Sequence, residues 1–321
     1  MMDFDDALVD REPDHASFRR ELADGLQKTP RSIPCKFFYD ERGSKLFERI
    51  CELPEYYPTR TELGILESHA EQISRAVGRG ARVIEYGSGS GQKTEILLRM
   101  LDAPSSFVPI EISVSALRNC YETLARSFPE LPVIPVCADY TDTVRLPADL
   151  PHAERSVVFF PGSTIGNFEP EDARAFLERT ARLVGDDGGL VIGVDLVKDA
   201  GVLEAAYNDA QGVTAAFNLN LLRRANRELD TDFDLDAFEH RAVYNTDEDR
   251  IEMHLVSTRA QAVSLGSEVF GFDADDHIVT EYSYKYRPDD FQGLASAAGF
   301  EARTMWTDKD DLFSLWYLER S

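Results

Sequence analysis

The stretch VIEYGSGSGQKTEILL, residues 83–98, joins an apolar strand pattern to a helical pattern through a glycine-rich turn. Glu85 lies near the end of the apolar run, and Gly87, Gly89 and Gly91 then alternate with serines. Glycines at a strand-to-helix turn let backbone N–H groups approach a ligand where a Cβ atom would clash. The stretch therefore predicts a strand, a ligand-binding turn and a helix in direct succession.

Helix and strand signals alternate on both sides of this stretch, from residue 59 to about residue 195. Thr59 followed by Glu62 has the spacing of a capping box and predicts the start of the first helix. Five apolar runs predict strands: ARVIEYG, SSFVPIEI, PVIPVCADY, RSVVFFPG and GGLVIGVDL. Such alternation is typical of a parallel sheet with crossover helices, so we expect a doubly wound, Rossmann-like α/β fold.

The pattern changes after Leu196, where mostly helical sequence precedes segments that alternate like antiparallel strands. We expect residues 1–58 and 196–287 to form a second lobe of α+β type. Residues 59–195 and 288–321 would form the first lobe. The C-terminal part belongs there because it reads as two strands around a DKDD turn, which would close the sheet edge as an antiparallel pair.

Composition excludes several classes of partner. The 321 residues include 58 acidic and 34 basic side chains, a formal charge of −24, and this field would repel a phosphate backbone. No stretch approaches 18 apolar residues and the acidic N-terminus does not resemble a secretory leader, so we expect a cytoplasmic protein without a nucleic-acid or membrane partner. The four cysteines form no CxxC pair and the six histidines lack ligand spacing, so we expect no metal site.

The glycine spacing narrows the choice of ligand. A dinucleotide site uses G-x-G-x-x-G, whereas the G-x-G-x-G found here resembles the S-adenosylmethionine turn of class I methyltransferases. Glu111 ends the second predicted strand, where a carboxylate can accept from ribose hydroxyls. Asp139 ends the third, where it can accept from the adenine amine with Tyr140 beside the ring. Each acid alone could be a solvated strand end, but their order on successive strands favours S-adenosylmethionine.

Longer and more specific motifs carry a further resemblance. They are FFYDERGSKLFERICELPEYYPTRTE, FFPGSTIGNF, DLVKD, AAYNDAQGVTAAFNLNLLRRANREL, IEMHL and TEYSYKYR. With them the chain, from about residue 31 to its end, resembles the L-histidine Nα-methyltransferase family. The resemblance implies an enzyme that uses S-adenosylmethionine to trimethylate the α-nitrogen of L-histidine. The products would be hercynine, an intermediate of ergothioneine biosynthesis, and S-adenosylhomocysteine.

The resemblance also implies roles for single residues, with substrate bound by the second lobe. Tyr39 and Asn167 would be the catalytic pair that orients the amine, and Glu281 would read the imidazole. The implied substrate-binding set is Tyr39, Tyr56, Asn167, Tyr207, Met253, Glu281 and Ser283. The implied cofactor-binding set is Gly87, Gly89, Lys93, Glu111, Asp139 and Tyr140. Two positions depart from the family pattern, because Glu111 stands where we expect aspartate and Tyr140 replaces a phenylalanine.

Three other functions are compatible with parts of this pattern. A related N-methyltransferase could act on another amino acid such as a prenylated tryptophan, but an indole has little use for a carboxylate acceptor such as Glu281. A nicotinamide dehydrogenase is disfavoured by the missing third-glycine spacing. A non-catalytic regulator would bind S-adenosylmethionine without turnover. We expect the histidine methyltransferase, acting as a monomer on a small-molecule substrate.

Overall fold

The chain has an α/β structure, and its computed structural model describes residues 4–10, 16–89 and 91–321. The helices in this part are α1 Phe4–Ala7, α2 Ala16–Gln27, α3 Glu41–Cys51, α4 Tyr57–Ser68, α5 Ala70–Val77, α6 Gln92–Met100, α7 Val114–Ser127, α8 Pro170–Val184, α9 Ala200–Tyr207, α10 Val213–Leu229 and α11 Pro288–Ala297. The strands are β1 Val9–Asp10, β2 Arg31–Ser32, β3 Arg82–Tyr86, β4 Ser106–Glu111, β5 Val136–Cys137, β6 Ser156–Phe160, β7 Gly189–Asp195, β8 Phe238–Asn245, β9 Arg250–Ser257, β10 Gln261–Leu265, β11 Glu268–Phe272, β12 His277–Tyr284, β13 Phe300–Thr307 and β14 Phe313–Arg320. The described residues also form three short 3-10 turns, at Cys35–Phe38, Thr164–Asn167 and Leu235–Ala237. Ser90 of the glycine-rich turn lies outside the described residues.

The chain divides into two compact units, each built from segments that are distant in sequence. The first unit comprises Met1–Pro13, Pro58–Val197 and Lys285–Ser321, and the second comprises Asp14–Tyr57 and Lys198–Tyr284. The start of the chain therefore differs from the expectation that all of residues 1–58 belong to the second lobe. The physical reason is β1, which pairs in parallel with β5 at the edge of the first unit's sheet.

The first unit contains an eight-stranded sheet in the order β1-β5-β4-β3-β6-β7-β14-β13. Neighbouring strands from β1 to β7 run parallel, whereas β14 is antiparallel to both β7 and β13. This arrangement confirms the predicted doubly wound sheet with an antiparallel C-terminal edge. The strand order reverses between β3 and β6, and ligands of such sheets bind beyond the carboxyl ends of the strands at this point.

Hydrophobic clusters cover both faces of this sheet because successive side chains of a strand point to opposite sides. Ile84 and Val108 belong to the cluster on one face, and Val83 and Phe107 belong to the cluster on the other. The parallel strands are therefore buried on both faces, which explains their continuous apolar sequence. The carboxyl ends of the strands are left as the accessible edge for polar residues.

The second unit contains a four-stranded sheet in the order β2-β12-β9-β8 and a separate hairpin of β10 and β11. β9 is antiparallel to both β8 and β12, as the alternating sequence predicts. Helices α9 and α10 pack on this sheet. Cross-strand partners share a face of the sheet, so the pairs Glu281–Met253 and Met253–Ala242 place these three side chains on the same side.

The predicted capping box at Thr59 is wrong. Helix α4 begins at Tyr57, two residues before Thr59, so Thr59 lies within the helix. Glu62 is fully buried, and its carboxylate accepts hydrogen bonds from the backbone N–H of Gly162 instead of reaching back to a helix start. Among the described residues, no helix is long and apolar enough to cross a lipid bilayer.

Candidate active site

The glycine-rich turn follows β3 and has the backbone geometry that its sequence requires. Gly87 and Gly89 adopt φ angles of 69° and 47°, a left-handed region that side chains other than glycine rarely occupy. The N–H of Gly87 donates to the carbonyl of Ile110 on the neighbouring strand at 2.9 Å. A Cβ atom at Gly87 would lie 3.7 Å from the ring of Tyr140. The structure thus brings Gly87 and Tyr140, two predicted cofactor residues, next to each other.

Glu111 lies at the end of β4, the strand adjacent to β3. Its carboxylate accepts from the N–H groups of Ile112 at 2.9 Å and Ser113 at 3.3 Å. Burial raises the pKa of Glu111, while hydrogen bonds from the backbone N–H groups of Ser113, Ile112 and Gly89 act against the rise. These bonds orient the carboxylate at the strand end and connect it to the glycine-rich turn.

Asp139 and Tyr140 follow β5, one strand further along the sheet. Asp139 accepts from the N–H of Thr141 at 2.9 Å and from its hydroxyl at 2.6 Å, so the carboxylate is fixed within its own turn. The ring of Tyr140 lies 5.5 Å from that of Tyr86 and 5.9 Å from that of Phe160. This aromatic group is suited to a planar heterocycle, and Tyr140 preserves the ring of the expected phenylalanine.

Lys93, in the first turn of α6, is held by Glu62, for which the capping-box spacing predicts a role at a helix start instead. Its Nζ lies 2.5 Å from a carboxylate oxygen of Glu62 on α4. Both oxygens of Glu62 also accept from the N–H of Gly162, at 3.0 and 2.9 Å. The buried carboxylate therefore fixes the ammonium beside the loop that follows β6. Glu62 lies four residues before Leu66 in the sequence, and this spacing indicates that both residues lie on the buried side of the helix.

Glu85, the acid that precedes the glycine turn, is buried on β3. Burial raises the pKa of its carboxyl group to about 8, although a hydrogen bond with Thr94 and the charge of Lys93 oppose the shift. The hydroxyl of Thr94 lies 2.5 Å from the carboxyl oxygen. Glu85 is therefore mainly protonated at neutral pH, unlike a solvated strand-end acid.

Asn167, predicted as a substrate residue, belongs to the first unit and ends the 3-10 turn Thr164–Asn167. Ser163 precedes this turn with a left-handed φ of 56°, and its hydroxyl accepts the N–H of Asp195 at 2.8 Å. The turn is thus attached to the end of β7, and Asn167 is half-buried at the carboxyl edge of the sheet.

The other six predicted substrate residues belong to the second unit, where four of them are joined through aromatic contacts and a hydrogen bond. The ring of Tyr39 lies 5.7 Å from Phe47, Phe47 lies 6.4 Å from Tyr56, and Tyr56 lies 6.2 Å from Tyr207. The hydroxyl of Tyr207 lies 2.8 Å from that of Ser283. Phe47 was not identified from the sequence, because an apolar residue on an amphipathic helix looks like ordinary core.

Glu281 and Met253 complete this group of the second unit. They are cross-strand partners on β12 and β9, and Ser283 lies two residues beyond Glu281 on the same face. Burial raises the pKa of Tyr56 well above 10, and the nearby groups of Tyr207, Cys51, Glu281 and Tyr39 raise it further. The Tyr56 phenol is therefore neutral, so it can orient a ligand by hydrogen bonding but is a poor proton acceptor.

Comparison with known proteins indicates a histidine-specific methyltransferase. The model of the family described as histidine-specific, S-adenosylmethionine-dependent methyltransferase matches residues 18–320. A histidine N-alpha-methyltransferase of Mycolicibacterium smegmatis is 43% identical over 305 residues, 93% of this chain and 94% of that protein. The enzyme of the same name from Mycobacterium tuberculosis is 40% identical, with 94% of each chain covered. Ergothioneine biosynthesis protein 1 of Neurospora crassa is 33% identical over 87% of this chain and 32% of its own length.

Proposed function

Since the chain belongs to the family of histidine-specific, S-adenosylmethionine-dependent methyltransferases, we propose that it trimethylates the α-nitrogen of L-histidine to give hercynine. The observation that carries the proposal is the 43% identity to a histidine N-alpha-methyltransferase over almost the whole of both chains. The predicted enzyme class and cofactor are confirmed by the family. The assignment to ergothioneine biosynthesis is supported by the similarity to the fungal protein of that name.

The residues of the first unit fit the cofactor. S-Adenosylmethionine supplies the electrophilic methyl group when it is bound. Glu111 would accept the ribose hydroxyls, because its carboxylate is oriented at the end of β4. Tyr140 would pack against the adenine, with Asp139 accepting from its amine. The Lys93 ammonium would interact with the carboxylate of the methionyl part, and Gly87 and Gly89 leave room beside it.

Histidine recognition would use residues from several segments of the chain. Glu281 would accept an imidazole N–H, with Ser283 and Met253 beside it on the same face of the sheet. The hydroxyls of Tyr56 and Tyr207 would complete the polar contacts of the amino acid. Asn167 offers both an amide donor and an acceptor, which suits the α-carboxylate and the α-amino group.

Methylation requires the amine lone pair, whereas an α-amino group with a reference pKa of about 8 is mainly protonated at neutral pH. We propose that Tyr39 and Asn167 orient the amine while its proton leaves to solvent, because neutral phenol and amide groups do not stabilise the ammonium form as a carboxylate would. An in-line transfer then depends on alignment of the amine with the methyl group.

The first experiment is mass spectrometry of the product formed from L-histidine and S-adenosylmethionine. We expect the trimethylated amino acid, with the mono- and dimethylated forms as intermediates, and no conversion of tryptophan. Equal turnover of tryptophan or of a prenylated tryptophan would favour the alternative, a related N-methyltransferase with another substrate. Binding of S-adenosylmethionine without turnover of any of these substrates would contradict both N-methyltransferase functions.

Glu281→Ala tests the assignment of the imidazole contact. An imidazole N–H that loses its buried acceptor costs about 1–3 kcal/mol, so kcat/KM for histidine should fall by roughly one to two orders of magnitude. Affinity for S-adenosylhomocysteine, measured by calorimetry, should stay the same. The control is Glu268→Ala, an exposed glutamate on β11, which should leave kcat/KM unchanged.

We also propose that the protein acts as a cytoplasmic monomer without nucleic-acid or membrane partners. The charge of −24 supports the absence of a nucleic-acid partner. Light scattering after size exclusion should give the mass of one chain, 36.1 kDa. Twice that mass would contradict the monomer.

A further inference from the structure

We propose that Asn218, together with His240 and Thr280, is a positioning network that fixes the imidazole-recognising residues of the second unit. None of the three is in the set of predicted substrate contacts. The proposal rests on the proposed function, because it concerns how the residues assigned to histidine recognition are held in place.

Asn218 lies on α10 with its side chain fully buried, and its amide bonds to all three long strands of the sheet. Its Nδ2 lies 2.8 Å from Nδ1 of His240 on β8 and 3.1 Å from the carbonyl of His254 on β9. Its Oδ1 accepts from the hydroxyl of Thr280 on β12 at 2.7 Å. One side chain thus sets the position of a helix against β8, β9 and β12.

These contacts define the state of His240. An amide nitrogen only donates, so Nδ1 of His240 must accept from Asn218. The other ring nitrogen then carries the proton and donates to the carbonyl of Tyr207 at 2.8 Å. Burial lowers the pKa of His240, while its bond to Tyr207 and the charge of Asp209 act in the opposite direction. The neutral imidazole therefore transmits the position of Asn218 to the end of α9.

The network reaches the predicted substrate residues by three routes. Through His240 it holds the backbone of Tyr207, whose hydroxyl contacts Ser283. The hydroxyl of Thr280 lies 3.0 Å from the carbonyl of Met253. Thr280 also sits at the register shift of β12 that immediately precedes Glu281. A β-bulge re-aims the side chains beside it, so a fixed Thr280 fixes the direction of Glu281.

If Asn218 had a purely structural role, its loss would lower stability without a selective effect on the KM for histidine. Asn226 offers a matched control on the same helix, because its amide is also engaged in tertiary bonds. It donates to the carbonyl of Phe233 at 2.8 Å and accepts from Thr231 and from the N–H of Phe233. None of these partners is a predicted substrate residue. Loss of either amide should therefore lower stability, but only loss of Asn218 should disturb histidine recognition.

The experiment compares Asn218→Ala, Thr280→Val and Asn226→Ala by thermal melting, by steady-state kinetics and by calorimetry with histidine and with S-adenosylhomocysteine. We expect Asn218→Ala to raise KM for histidine at least tenfold and Thr280→Val about fivefold, with affinity for S-adenosylhomocysteine within twofold of wild type. Asn226→Ala should lower the melting temperature while leaving KM within twofold. Thr280→Ser, which keeps the hydroxyl, should restore wild-type KM.

The proposal is overturned if KM for histidine stays within twofold in both network variants, or if Asn226→Ala raises it equally. Should Asn218→Ala fail to fold, the pair Thr280→Val and Thr280→Ser decides the question alone. Failure of the proposed function has a different signature, since wild-type protein would then neither bind nor methylate histidine.

Discussion

At the scale of single residues, burial changes the pKa values of acidic side chains in the first unit. Glu85 and Glu111 both lie at strand ends, and burial raises the pKa of both carboxyl groups, that of Glu85 to about 8. Glu111 retains backbone N–H groups that favour its charged form. The order of strands predicted both acids at this edge of the sheet. The burial of these acids depends on tertiary contacts, which no local pattern contains.

Glu85→Gln should make stability less dependent on pH. The native pKa of Glu85 lies above its ordinary value of 4.5, so this group takes up a proton on folding. Its contribution to the free energy of unfolding therefore falls as pH rises from about 4.5 to about 8. Glutamine does not titrate, so the advantage of the variant should grow by up to about 1.4 kcal/mol per pH unit across this window and then level off. Urea unfolding at pH 5 to 9 measures the difference.

The control for this prediction is Glu95→Gln on α6. Salt bridging with Arg99 lowers the pKa of Glu95, so its contribution to stability is complete above pH 4.5 and should not change between pH 5 and 8. A stability difference between wild type and Glu85→Gln that stays constant over the same range would contradict the buried protonated acid.

At the scale of helices and strands, most of the fold follows from periodicity, and the exceptions have local causes. The strand expected in PVIPVCADY is reduced to Val136–Cys137, because Pro132 and Pro135 have no N–H to donate to a sheet. The hairpin of β10 and β11 is not among the expected strands, although Gly266 and Ser267 between its strands are a turn signal. Helix α4 begins at Tyr57 and not after Thr59, because the Thr59 and Glu62 spacing occurs by chance within the helix.

Gly193 on β7 shows how tightly helix α4 packs on the sheet. A Cβ atom at this position would lie 2.0 Å from a carboxylate oxygen of Glu62. Glu62 cannot move away without losing Lys93 and Gly162, so Gly193→Ala should destabilise the protein by about 1–3 kcal/mol and weaken binding of S-adenosylhomocysteine. Gly271→Ala is the control, since this strand glycine has open space around it. Equal melting temperatures of the two variants would contradict the packing argument.

At the scale of the whole molecule, the candidate site draws on segments that are far apart in sequence. In the second unit, Tyr39, Tyr207 and Glu281 come from three regions of the sequence. Periodicity predicts the elements that carry them, but it cannot show which distant residues meet. The long motifs supplied that information through the family resemblance. Residues outside those contacts, such as Glu62 and Asn218, became visible only in the folded chain.

The first unit also depends on a buried ion pair between its two long segments, Pro58–Val197 and Lys285–Ser321. Lys285 lies 2.9 Å from Asp195, and both side chains are 1% exposed. The N–H of Tyr286 donates to the carbonyl of Asp195 at 3.0 Å, so the returning chain is attached at the end of β7. Because the pair joins residues 90 positions apart, its loss should affect the folding of the whole unit.

Lys285→Met should therefore destabilise the protein by about 3–5 kcal/mol, since the buried Asp195 carboxylate loses its compensating ammonium. Lys285→Met combined with Asp195→Asn should recover much of this loss, because the remaining groups carry no charge. The control is Lys309→Met, which removes an exposed pair with Asp310 and should change the free energy of unfolding by less than about 1 kcal/mol. Urea unfolding of the four proteins measures all of these differences. A Lys285→Met variant as stable as wild type would show that this pair does not hold the two segments together.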